Sequence, residues 1–268
     1  MKCSICFGVM RHVFSTLVLH KHMADYEVCN SCGYLRVREP FWLEEAYSSA
    51  IATADTGIVM RNFAIAGKVA AILYGLLNER GDGKYLDAAG GYGLLTRLMR
   101  DFGFDFYWKD KYCLNLVAPG FEYHQAVGDC VAVTAMEVLE HVLDPVAFVE
   151  ETLDTVNADT LIFTTELYQG APPKPESWWY YAFETGHHIS FYQRRTLDAI
   201  DQKNGLKFAS AGGVHVFSKT TISEGRLRLL TSKFTSLLAP WWTRQMLGAK
   251  TIPDHQKLLS KMTTSHRI

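Results

Sequence analysis

Four of the six cysteines fall into two C-x-x-C pairs, Cys3/Cys6 and Cys29/Cys32, with 22 residues between them. A C-x-x-C turn lets two thiolates face one cation, and two such turns complete a tetrahedral four-thiolate site of the kind that holds structural Zn²⁺. Gly33 follows the second pair, where a tight knuckle must turn backbone N–H groups toward sulfur. Thiolates fill every position of such a site, so the metal is expected to be structural and to carry no water for chemistry. A redox C-x-x-C needs only one pair beside a βαβ unit, and two disulfides need an oxidising compartment. Cys113 and Cys130 lie apart and read as small apolar residues.

A second chemical segment runs Tyr85-Leu86-Asp87-Ala88-Ala89-Gly90-Gly91-Tyr92-Gly93-Leu94-Leu95. It reads as a strand, a turn of small residues and a helix start. Small residues let a ligand approach the backbone, and the helix start presents free N–H groups. Dinucleotide enzymes place G-x-G-x-x-G there, facing a pyrophosphate. This turn is D-x-A-x-G-x-G instead. Its carboxylate would repel a pyrophosphate but suits a ligand with a cationic group. Asp110 follows 23 residues after Asp87, just past the next strand, where an acid accepts ribose hydroxyls. Two acids so placed point to a nucleoside with a cationic tail. Further on, His187 and His188 sit among Trp178-Trp179-Tyr180-Tyr181 and Tyr192, after a loop from Gly170 to Ser177 with three prolines. Paired histidines beside aromatics offer a base near neutral pH within an apolar enclosure.

These residues need elements to position them. Ile58–Leu77 has helical apolar spacing. Strands are expected at Tyr85–Ala88, Phe104–Lys109, Val131–Ala135 and Thr160–Thr165, alternating with helices at Leu94–Phe102, Pro145–Asp154 and Thr196–Asn204. That alternation implies βαβ units and a mainly parallel sheet. Leu206–Ala211 and Val214–Phe217 close the sheet as an antiparallel pair around Gly212-Gly213. The expected organisation is a zinc-binding module at 1–50, an α/β domain at 51–220 and a basic helical tail at 221–268.

Composition bounds the rest. The chain has 268 residues, 48% apolar and 21% charged, with a formal net charge of −1. Disorder, collagen and a global polyanion binder are thereby excluded. The tail holds eight Lys/Arg against Glu224 and Asp254, about +6, which leaves the first 220 residues near −7 (19 minus 26). No run of 18 apolar residues occurs, so no spanning helix is expected. Val13–Leu19 is interrupted by Ser15 and Thr16 and ends in His20-Lys21-His22, a poor leader, so a cytoplasmic protein is expected. Leu237-Leu238-Ala239-Pro240-Trp241-Trp242-Thr243-Arg244 joins aromatics to basic residues. It suits either peripheral membrane contact through residues 226–250 or a helical cap or dimer contact.

The turn Asp87–Gly93, with Ala89 in place of the usual first glycine, resembles the first motif of class I S-adenosylmethionine-dependent methyltransferases. The run from Asp129 to Pro145, containing Glu137-Val138-Leu139-Glu140-His141-Val142-Leu143-Asp144-Pro145, resembles a later motif of the same family. The resemblance covers about residues 60–218. It implies a Rossmann-like, doubly wound, mostly parallel seven-stranded sheet with helices on both faces. It also implies S-adenosylmethionine as cofactor. Asp87 would meet the ammonium, directly or through water. Ala89, Gly91 and Gly93 would form the floor, Asp110 would hold the ribose, and Phe121 would stack on adenine. Met136 and Glu137 would border the methionine part. Glu140 and His141 read as packing or as ligand neighbours.

The four-cysteine module, Leu43-Glu44-Glu45-Ala46-Tyr47 and His188-Ile189-Ser190-Phe191 together resemble bacterial sugar methyltransferases. These include C-methyltransferases of nucleotide-linked deoxysugars and relatives found with polysaccharide synthesis. That resemblance implies His188 as the base, with His187 standing where much of the group has Glu. Tyr192 and Tyr47 are candidate substrate contacts. A zinc-ribbon RNA methyltransferase is one alternative, although Lys2, Arg11, Lys21, Arg36 and Arg38 form no dense basic patch with stacking aromatics. A non-catalytic scaffold that retains the fold is another.

Overall fold

A computed structural model describes residues 1–47 and 55–265, so the expected module boundary at 50/51 lies outside the described residues. The chain begins with strands β1 (Met10–Val18), β2 (His22–Cys29) and β3 (Leu35–Val37) and the short helix α1 (Leu43–Ala46). Helix α2 (Ile58–Gly75) leads into β4 (Lys84–Ala88), α3 (Leu94–Asp101), β5 (Asp105–Lys109), β6 (Ala132–Met136), α4 (Pro145–Asp154) and β7 (Thr160–Thr164). Then come β8 (Ser190–Phe191), α5 (Arg194–Lys203), the hairpin β9 (Lys207–Ala211) and β10 (Val214–Ser218), and helices α6 (Glu224–Leu230), α7 (Lys233–Leu247) and α8 (Thr251–Ser265).

The main sheet has the order β5-β4-β6-β7-β10-β9, parallel through β7 and antiparallel beyond it. Alternate residues face opposite layers, as strand geometry demands. Leu86, Val133, Leu161 and Phe217 pack with Val149 and Leu153 of α4 and Leu197 of α5. Tyr85, Phe106, Ile162 and Val216 pack with Ile65 to Leu73 of α2 and Leu95 of α3. Both faces are thus covered, as expected for a doubly wound fold. The expected seventh strand is reduced to a single parallel bridge between Trp108 and Glu122. Pro119-Gly120 turns the chain just before it and a 3₁₀ turn begins at Gln125, so too few extended residues remain for a strand.

The sheet order reverses between β4 and β6, where a doubly wound sheet opens its binding crevice. Helix starts at this edge are locally encoded. The Asp144 side chain accepts from the N–H groups of Val146 and Ala147, both at 3.1 Å, and Pro145 occupies the first turn.

Residues 1–47 are built into the main fold. Strands β1, β2 and β3 form a second, antiparallel sheet whose last member is β8. Cys3, Cys29 and Cys32 belong to the same core as Leu86 and Val133. The module at 1–50 is therefore completed by residues some 150 positions downstream. Of the C-terminal helices, α6 packs on β9, α7 on α2 and α8 against α3. A Cβ on Gly67 of α2 would strike the Ser236 carbonyl of α7. Buried Arg100 of α3 makes a two-pronged ion pair with Asp254 of α8, both contacts at 2.8 Å. Contrary to expectation, α2 is long and apolar enough by length and composition to cross a membrane, with a mean hydropathy of 1.3. Its Ile65–Leu73 stretch is instead largely packed inside the molecule.

Candidate active site

A cavity of about 1480 Å³ opens at the carboxyl ends of β4, β5 and β6. Its two ends are made of different material.

At one end, the chain leaves β4 at Asp87-Ala88 and turns through Ala89 (φ 54°), Gly91 (φ 54°) and Gly93 (φ 87°) into α3. A Cβ on Gly90 would press on the Trp108 ring and the Asp87 carboxylate. Gly91 has no atom within 4 Å of such a Cβ, so it faces open cavity, as a floor for a ligand must. Asp87 is only 2% exposed. It accepts hydrogen bonds from the hydroxyls of Thr96 (3.0 Å) and Thr134 (2.9 Å). Burial pushes its carboxyl up to about 7; the two hydroxyls oppose that rise and the charge of Asp110 adds to it. A cationic ligand group here would restore the anion.

Asp110 accepts from the N–H groups of Gly91 (2.9 Å), Tyr112 (2.7 Å) and Cys113 (2.8 Å). It thereby ties the glycine turn to the loop after β5 and leaves acceptor capacity at the cavity wall. Met136 and Glu137 line the same end, and Glu137 is held at φ 54°. Phe121 does not line the cavity. Its buried ring lies under the Arg100 guanidinium, 3.7 Å from ring centroid to Cζ, with Lys257 also near, so it is occupied on the α3–α8 side. The adenine-stacking expectation for Phe121 is corrected accordingly.

The other end gathers His141, His187, His188, Tyr47, Tyr112 and Trp179. Nδ1 of His188 lies 2.6 Å from the Tyr180 carbonyl, and Nδ1 of His141 lies 3.1 Å from the His187 carbonyl. A carbonyl only accepts, so each Nδ1 carries the proton and each Nε2 keeps a free lone pair. Burial lowers His188 to about 4, and burial with the two neighbouring imidazoles lowers His141 well below the ordinary range. Both are neutral at pH 7. His187 donates from Nε2 to the Ala46 carbonyl (2.7 Å), and its ring stacks on Tyr47, which stacks on Tyr112.

Tyr192 is fully buried and donates to the Leu139 carbonyl (2.6 Å) beneath the cavity wall. It braces the turn at 139–141 and is absent from the cavity lining, which corrects the expectation that it contacts substrate. Glu140 is fully buried, and neither of its carboxyl oxygens has a hydrogen-bond partner among the described residues. Burial and the charge of Glu137 push it up to about 8. One Glu140 oxygen and one ring nitrogen each of His141 and His188 lie within 4.8 Å of one another, a donor set able to take a cation or share a proton.

The sequence did not single out Thr96, Thr134 or Tyr112, because a lone hydroxyl or exposed ring has no periodic signal. Glu140 could be found from its place beside His141 in the motif.

The four cysteines lie outside the cavity lining. Cys3 Sγ is 3.8 Å from Cys32 Sγ, and Cys6 Sγ is 3.4 Å from Cys29 Sγ. All four sulfurs fall within 4.8 Å of one another. A tetrahedron with metal–sulfur bonds of about 2.3 Å has edges of about 3.8 Å, so the donor set fits Zn²⁺. Backbone N–H groups of Ile5 and Cys6 point at Cys3, and those of Ser31 and Cys32 at Cys29, the outer support that thiolate ligands need.

Residues 61–211, more than half of the chain, match a family described as "Methyltransferase domain". The chain belongs to this methyltransferase family. The matched span holds the glycine turn with Asp87, Asp110, Met136 and Glu137, together with His141, His187 and His188, and it leaves the cysteine module and α6–α8 outside. The methyltransferase is similar to magnesium protoporphyrin IX methyltransferase from Synechocystis, solved with bound SAH: 13% identity, 65% of this chain, 90% of that one, TM-score 0.42. It is also similar to an O-methyltransferase family 2 protein from Planctomyces limnophilus in complex with apigenin: 14% identity, 66% of each chain, TM-score 0.43. A third is mitomycin 7-O-methyltransferase: 17% identity, 58% of this chain, 52% of that one, TM-score 0.39. No curated protein matches the chain.

Proposed function

We propose that the enzyme binds S-adenosylmethionine between Asp87 and Asp110 and methylates a small molecule held against His188, namely a sugar or a nucleotide- or lipid-linked glycan precursor. The observation that carries this reading is one continuous cavity with two acids and an open glycine floor at one end and free imidazole lone pairs at the other. The sulfonium supplies an electrophilic methyl group when bound. Asp87 meets the cationic amino-acid part, Gly91 admits the ligand to the backbone, and Asp110 takes the ribose hydroxyls. Nε2 of His188 would take the acceptor's proton, leaving the electron pair that the methyl group accepts, while sulfur would keep the electrons of the broken methyl–sulfur bond. Trp179, 78% exposed at the cavity mouth, and the Tyr47–Tyr112 stack offer flat apolar faces with polar edges suited to a sugar ring. The four-cysteine cluster is assigned one structural Zn²⁺.

The test is calorimetry of S-adenosylmethionine on wild type and Asp110→Ala. Tight binding that weakens about tenfold or more in the variant, the loss of a hydrogen-bonded charge contact, is the expected result. Unchanged affinity rejects the ribose assignment. Native mass spectrometry should show one zinc, released by thiol-modifying reagents. Turnover after exhaustive chelation of cavity metal should persist, and dependence on an added cation would replace His188 as base with metal chemistry at Glu140, His141 and His188.

A further inference from the structure

Helix α7 is built inside out. Phe234, Leu237, Leu238, Trp241 and Trp242 recur at i, i+3, i+4, i+7 and i+8, the spacing of an amphipathic helix's buried stripe. Here that stripe faces solvent: Phe234 is 75% exposed and Trp241 62%. The side facing the protein is made of small residues instead, Ser236, Ala239, Pro240 and Thr243, set against α2 at Gly67. Leu229 of α6 and Met246 extend the exposed apolar surface. Isolated exposed apolar side chains are ordinary, but a contiguous face of this size marks an interaction site.

Two further observations say what would cover it. Between Glu224 and Asp254 the chain carries no acidic residue, while Arg226, Arg228, Lys233, Arg244 and Lys250 fall within that stretch. Arg228, Lys233 and Arg244 are exposed on the helices that bear the aromatics. A groove of about 290 Å³ also runs between α2 and α7, walled by Tyr74, Leu230, Phe234, Leu238, Trp241 and Trp242. Its walls are almost wholly apolar, a lining suited to a hydrocarbon chain.

We propose that α6 and α7 dock the enzyme on an anionic lipid bilayer, with the aromatic row entering the interface, the basic residues meeting the headgroups and the groove receiving an acyl chain. Trp and Phe on one face with Lys and Arg around them is the composition that binds at a membrane surface without crossing it. The other end of α2, from Ile58 to Ile65, lines the catalytic cavity. One helix thus links the docking face to the chemistry, and the bilayer would present a lipid-linked acceptor to it. This last step rests on the proposed function; the docking does not.

The test is co-sedimentation of the full-length protein with vesicles of phosphatidylcholine alone and of phosphatidylcholine with an equal part of phosphatidylglycerol, at low and high salt. Tryptophan emission is followed in parallel. The expected result is binding to the anionic vesicles only, weakening with salt, with a blue shift of the emission. The double variant F234S/W241S replaces exposed side chains and so keeps its S-adenosylmethionine affinity, while its vesicle partition falls at least about tenfold. No binding to anionic vesicles overturns the proposal, as does equal binding by the variant. Vesicle-free dimerisation that the variant abolishes would assign the face to a second copy of the chain instead. Loss of methyl transfer with vesicle binding intact would count against the catalytic reading and leave the docking in place.

Discussion

The two ends of the cavity are built on opposite plans. The end we assign to the donor comes from one run of chain, residues 87–137, at the tips of three adjacent parallel strands. Its working parts are backbone N–H groups, small residues and two carboxylates held by short local bonds. The acceptor end joins segments far apart. Ala46 holds His187, Trp42 Nε1 donates to the Gly186 carbonyl at 3.0 Å, and Tyr34 bonds Ser190 at 2.8 Å. The second sheet, with β8 as its last strand, is what presents His187 and His188, while His141 comes from the turn after β6. A reaction common to a family can be fixed by a local turn, while the acceptor pocket is remade by whatever the N-terminal sheet brings to it.

If the two ends are separable, the largest effect should fall on only one of them. His188→Ala should lower kcat by about 10²–10⁴, the range for loss of a positioned base. Its affinity for S-adenosylmethionine should stay within about twofold. A parallel fall in affinity, measured by calorimetry, would show the ends to be coupled. The donor end has one distant support of its own. Asp254→Ala leaves Arg100 buried with only Asp105 as a carboxylate partner, and it removes the ion pairs that tie α8 to Arg97 and Arg100. Breaking a buried pair costs about 3–5 kcal/mol, and the surviving Asp105 contact at 2.6 Å puts this variant near the low end. Denaturant unfolding should show the loss, and an unchanged midpoint would mean that α8 is not a brace.

Legibility in the sequence follows the same divide. The strand–helix alternation, the hairpin around Gly212-Gly213 and the placing of Asp87, Gly91 and Asp110 around a cavity all rest on local patterns. Phe121 and Tyr192 were misplaced because each sits at the end of a strand-like stretch, where one step of side-chain parity decides between cavity and core. Phe121 turns to Arg100 and Tyr192 to the Leu139 carbonyl, partners that no local spacing announces. The β3–β8 pairing joins Leu35 to Phe191, and a two-residue strand carries no period to read.

The next effect is a pH dependence of S-adenosylmethionine binding that follows Asp87. Asp87 holds its proton up to about 7 because burial disfavours the anion. Its contribution to folding is therefore fully present in acid, below the ordinary carboxylate range, and is lost as pH rises through about 7. Ligand binding runs the other way. A cationic group favours the ionised carboxylate, so affinity for S-adenosylmethionine should rise about tenfold from pH 6 to pH 8 and then level off. Asp87→Asn should bind weakly with a flat profile. A wild-type profile already flat over this interval would mean that the cation lies elsewhere.

The smallest effect tests whether the donor turn is tuned as finely as its locality suggests. Ala89 adopts φ 54° where its backbone would be unstrained only as glycine. The left-handed region costs an alanine about 1 kcal/mol, while glycine gives back part of that gain through the greater freedom of its unfolded chain. Ala89→Gly should therefore stabilise the enzyme by up to about 0.5 kcal/mol, a rise in Tm of up to about 2 °C by calorimetry. Ala89 lines the cavity beside Gly91, so the substitution also reads ligand contact. Higher Tm with unchanged donor affinity would make the alanine a tolerated strain. Higher Tm with weaker affinity would make its methyl part of the binding surface, and the strain the cost of that contact.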